Sequence, residues 1–113
     1  MESWPSSPAL IALLERVAPR GPDVTQRRVV GFPATFVNGN LCCGTFNDHF
    51  MLRVSDADRA ALEARGGRSF EPMPGRPMRS LLEIGAHTFH DEATLRGWFA
   101  RAAEFTRTLP PRK

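Results

Sequence analysis

An α+β fold, with helices packed on one mostly antiparallel sheet, is predicted by three features of this 113-residue chain. First, residues 25–54 alternate apolar runs with turn residues. Phe36 and Val37 precede Asn38, Gly39 and Asn40, and Leu41, Cys42 and Cys43 follow. Asn and Gly tolerate the positive φ that a two-residue hairpin turn needs, so this pattern signals a β-hairpin. Second, both ends of the chain carry apolar residues at helical spacing. Third, residues 68–79 hold three prolines, which forbid a helix there. The resulting order is α-β-β-β-β-α-β-α, about five strands in two layers with three helices.

The first helix follows from Ser7 as cap, Pro8 at the first helical position and the stripe Leu10, Leu13, Leu14, Val17. Pro19, Gly21 and Pro22 end it. A meander then occupies residues 24–54, with Gly31 and Pro33 marking a bend or edge between its first two strands. Asn47 and Asp48 make its next turn before the apolar run that starts at Phe50. Ser55 opens a short second helix, because Ser55 to Asp58 has the form of a capping box. Asp56 and Asp58 then compensate the helix dipole, and Ala61 and Leu62 are expected to face the core. Gly66 and Gly67 stop that helix. Residues 68–79 read as a loop, with at most a short extended piece near Phe70. Residues 81–84 form the last strand. A third helix, capped near Asp91, presents Leu95, Trp98, Phe99, Ala102 and Phe105 to the sheet. Pro110 and Pro111 close it. Trp4 is either an N-terminal staple or part of a tail.

Composition bounds the class. The charged fraction is 24%, ordinary for a folded protein and too high for a membrane span. The N-terminus lacks a basic n-region and an apolar h-region, so no secretory signal is expected and a cytoplasmic location is. Cys42 and Cys43 are adjacent in a strand, so one is expected to be buried and the other to point to the opposite face, without a disulfide. The net charge of +3 permits nucleic-acid contact without requiring it.

Candidate chemistry is sparse. His87 and His90, flanked by Asp91 and Glu92, come nearest to a zinc set, but two ligands on one turn lack a distant third. His49 sits at a hairpin corner. Nothing resembles a nucleophile elbow, and Gly66 and Gly67 end a helix where a phosphate loop would begin one. No catalytic residue, metal site or cofactor is therefore expected. Arg65, Arg68, Arg76 and Arg79 are the one group able to bind an anion or a partner, since arginine forks suit phosphate and carboxylate. Phe70, Met73 and Met78 lie among them. In the plainer reading those three pin the loop while the arginines pair with Glu63, Glu71 and Glu83.

Several short stretches, taken together and in order, span nearly the whole chain. They are Pro22 to Thr25 with Arg27 and Arg28, Phe36 to Asn40, Leu52 to Val54, and Asp58 with Arg59. The proline loop from Phe70 to Met78 and the ending Thr108 to Pro111 complete them. On these residues the chain resembles the TfoX N-terminal domain family, named after a bacterial regulator of natural competence. The resemblance implies one domain over residues 1–113, similar to secretion-chaperone-like folds, in a bacterial cytoplasmic protein without enzymatic activity. The expected function is a small non-catalytic regulatory or protein-interaction module whose partner is a protein or a second copy. The alternative is a nucleic-acid-associated protein using the arginine-rich loop; a metal- or small-molecule-dependent enzyme ranks last. No membrane contact is expected.

Overall fold

The computed structural model describes residues 8–29, 31–46, 49–73, 76–85 and 91–111, with backbone alone at 8, 9, 71–73 and 76–80. The chain runs α1 (Pro8–Val17), β1 (Val24–Val29), β2 (Phe32–Val37), β3 (Asn40–Phe46) and β4 (His49–Arg53). It continues through α2 (Asp56–Glu63), β5 (Arg68–Met73), β6 (Arg76–Gly85) and α3 (Glu92–Arg107). All strand pairs are antiparallel, in one six-stranded sheet of order β1-β2-β3-β4-β6-β5.

The local signals act as expected. Asn38 and Gly39 take φ of 52° and 83° between β2 and β3, the left-handed pair that a tight hairpin requires. The Ser55 side chain accepts from the Asp58 amide, and Asp91 accepts from the Thr94 amide at 2.7 Å, so both later helices are side-chain capped. Gly66, at φ 104°, turns the chain out of α2. The cap expected at Ser7, the residues of the Asn47 turn and Trp4 lie outside the described residues.

One strand was not expected. Residues 68–73 form strand β5 and residues 76–79 begin β6, where a loop was expected, which raises the count among the described residues from about five strands to six. Pro72 sits in β5, the edge strand, where a missing N–H need not break the ladder. The β5–β6 register shifts twice, between Ser69 and Phe70 and again between Phe70 and Met73. Prolines exclude a helix; they do not exclude an irregular edge.

The three helices lie on one face. Leu10, Leu14 and Val17 of α1, Leu62 of α2, and Leu95, Phe99, Ala102 and Ala103 of α3 share a core with Val37, Phe50, Leu52, Leu82 and Ile84. Phe50 meets Phe99 edge-on at 5.2 Å. Burying one such ring contributes roughly 1.5–3 kcal/mol, so this layer dominates stability. Ala61 is exposed, because only Leu62 of that pair points to the sheet.

The cysteines depart from simple alternation. Thr35 pairs with Cys43 and Phe36 pairs with Leu41, leaving Cys42 as an extra residue in β3. A bulge resets the face that follows it. Both cysteines therefore enter the helix-side core, at 0% exposure, as free thiols. Hydrogen bonding to Cys42, added to burial, pushes the Cys43 thiol well above its ordinary pKa.

Candidate functional site

The register decides which side chains stand on the face away from the helices. Phe36 pairs with Leu41, Ala34 with Gly44, Gly44 with Met51, and Phe46 with His49, and directly paired residues share a face. Arg27 opposite Ala34, and Leu81 opposite Arg53, extend that face to both sides. Met51, Phe70 and Leu81 form a small buried cluster there, with Leu41 and Phe46 packed on it. Phe32 and Phe46 are 4.6 Å apart and tilted, and Phe46 meets Phe70 edge-on at 5.0 Å. Phe32, Phe36, Leu41 and Phe46 stay only half-buried. The result is an apolar row across β2 and β3 that no helix among the described residues covers.

Arginines border the row. Arg27 stacks over the Phe36 ring at 5.0 Å, Arg53 donates to the Leu41 carbonyl at 2.6 Å, and Arg68 pairs with Glu83 at 3.5 Å. The row is thus an apolar area with cationic edges.

The helix side uses its charges differently. Asp58 is buried and takes two bonds from Arg101, at 2.9 and 2.6 Å. Dipole compensation therefore does not fully account for Asp58; its carboxylate also ties α2 to α3. Arg101 and Arg65 approach the half-buried Trp98 ring at 5.5 and 5.9 Å. Arg107 bonds Asp23 at 2.7 Å and holds that carboxyl below its ordinary pKa. Two open grooves flank α1: about 620 Å³ against β1, and about 500 Å³ against α3. Their polar side chains are arginines, glutamates and Gln26, with no nucleophile–base pair among them.

The family model for the TfoX N-terminal domain matches residues 15–106. The chain belongs to the TfoX N-terminal domain family. No curated protein and no solved structure matches it. That family is of regulatory type rather than an enzyme family. No helix among the described residues is long and apolar enough to cross a membrane.

Within this TfoX-type domain the four arginines singled out from sequence do not share one surface. Arg65 stands beside Trp98 on the helix side, whereas Arg68 pairs with Glu83 on the opposite face. Arg76 and Arg79 belong to β6, with side chains outside the described residues. His87 and His90 also lie outside, and His49 begins β4 opposite Gly85. Among the described residues no three His, Cys, Asp or Glu side chains converge as a metal set would. Sequence reading missed the aromatic row, although Phe32, Ala34 and Phe36 alternate at the strand period. What it lacked was the knowledge that all the helices cover the other face.

Proposed function

We propose that this TfoX-family chain is a non-catalytic regulatory module that works by docking to another protein through the helix-free face of its sheet. The supporting observation is the half-exposed row Phe32, Phe36, Leu41 and Phe46, which is continuous with a buried cluster and bordered by arginines. A protein surface of this kind marks a contact site, since water gains when a partner covers it. Neither groove gathers the polar groups that a reaction needs.

Site-specific photo-crosslinking tests this reading. Benzoylphenylalanine at Phe36 gives discrete protein adducts in cells, absent when the same group replaces the exposed Ala61 and lost on Phe32→Ala. Equal adducts at both positions would refute docking through this face. The stacking of Arg27 on Phe36 supports a second reading, a single-stranded nucleic acid laid on the sheet, because bases stack on aromatic rings beside cationic groups. Nucleotide adducts at position 36 would favour it.

A further inference from the structure

The two margins of the sheet differ. The β5 margin is broken by two register shifts, which spoil an edge for further pairing. The β1 margin is regular: all six residues of β1 pair with β2 without a break. The bond from the Asn38 amide to the Asp23 carbonyl, at 2.8 Å, fixes the phase of this ladder. By alternation Thr25, Arg27 and Val29 bond inward to β2, and the amides and carbonyls of Gln26 and Arg28 point outward. Thr25 to Arg28 are exposed.

Beside this margin, on the helix side, lies the 620 Å³ groove, whose lining includes Ile11, Ala18, Pro33, Arg20 and Arg28. It exists because α1 packs toward β3 and α3 and leaves the layer above β1 unfilled. A strand added outside β1 would direct alternate side chains into it.

Charge identifies what kind of strand. Arg16, Arg59, Arg68, Arg96, Arg101 and Arg107 each bond a carboxylate. Arg20, Arg27 and Arg28 do not, among the described residues. Arg20 donates to the Glu15 carbonyl, Arg28 to the Gly31 carbonyl, and Arg27 lies over Phe36. Three guanidinium groups that bond no carboxylate thus collect at the one regular margin of the sheet, with Glu15 the single carboxylate among the groove's lining residues. A second copy paired β1 to β1 would bring like charges together, which disfavours self-association there.

We infer that β1 accepts an extended, acidic segment of a partner protein as a seventh strand, with apolar residues at alternate positions entering the α1–β1 groove. This inference rests on the protein-docking reading and extends the contact from the helix-free face round the β1 margin to the helix side. Main-chain bonds to Gln26 and Arg28 supply affinity, and the groove and arginines supply selectivity.

The test uses three peptides of the same length: alternating Glu and Val, the same composition in shuffled order, and the alternating peptide N-methylated on the amides that face β1. Hydrogen exchange of the Gln26 and Arg28 amides is the readout. Binding of the alternating peptide slows both at least about tenfold, whereas the shuffled and N-methylated forms do not. The double variant Arg20→Glu, Arg28→Glu, checked for an unchanged melting profile, loses the effect. N-methylation leaves the protein untouched, so a folding defect cannot mimic the result. No binding below about 1 mM, equal binding of the N-methylated peptide, or protection by oligothymidylate alone would each overturn the inference. Crosslinks at Phe36 without peptide binding would leave the docking reading in place and remove this one; loss of both would remove both.

Discussion

The ion pair between Asp58 and Arg101 is asymmetric, and the asymmetry predicts unequal costs for its two halves. The Asp58 side chain is 8% exposed, while the Arg101 side chain is 59% exposed. Arg101→Ala strips a buried carboxylate of both its bonds, at 2.9 and 2.6 Å, and removes a cation from Trp98. A buried charge left unpaired is the expensive case, and hydrogen bonds to charged groups are each worth about 1.5–3 kcal/mol. Because water already screens the exposed guanidinium, the loss is smaller than two buried charged bonds would imply, though larger than for Asp58→Ala. Asp58→Ala loses the same bonds but releases arginine into water, so it costs about 1 kcal/mol, including its share of dipole compensation at the start of α2. Urea denaturation followed by circular dichroism measures both. Arg101→Ala lowers the midpoint by about 1–2 M, and Asp58→Ala by about half as much. The reverse order, or no shift for Arg101→Ala, would show that the carboxylate is not held in a poorly hydrated site.

The other predictions concern the sheet and acid stability. A Cβ on Gly44 would lie 2.7 Å from the Pro33 carbonyl oxygen and 3.1 Å from Ala34 Cα, both backbone of the neighbouring strand. Gly44→Ala therefore costs about 1–3 kcal/mol and lowers the thermal midpoint by about 4 °C or more; an unchanged midpoint would mean that β2 and β3 separate freely. The Asp23 carboxyl, held down by its hydrogen bond from Arg107, has a folded pKa below its unfolded one. Its contribution is thus fully present above the unfolded value and lost as pH falls through the folded one. Stabilities of the native chain and of Asp23→Asn converge as pH drops from about 5 to about 2, and curves that stay parallel would exclude Asp23 from the acid transition.

Much of this architecture follows from neighbours in sequence. Asn38 and Gly39 commit the β2–β3 turn through their own backbone preferences, and Ser55 and Asp91 cap helices within three residues of themselves. The apolar stripes of α1 and α3 state which side each helix buries. Such signals are local, so they survive without any knowledge of what lies opposite. The TfoX-type order of elements is legible for the same reason.

Contacts between distant residues were decided only on folding. Proline chemistry alone does not reveal that residues 68–73 find a partner in β6, since pairing depends on a free neighbouring edge. The bulge that turns Cys42 and Cys43 to one face is a property of the β2–β3 register, not of either cysteine. Asp58 and Arg101 meet across 43 residues, and only the α2–α3 contact buries the carboxylate. Likewise Arg20, Arg27 and Arg28 share a margin because α1 packs toward β3 and leaves the space above β1 open. A side chain's type sets what it can bond; the elements packed around it decide whether water or protein provides the partner.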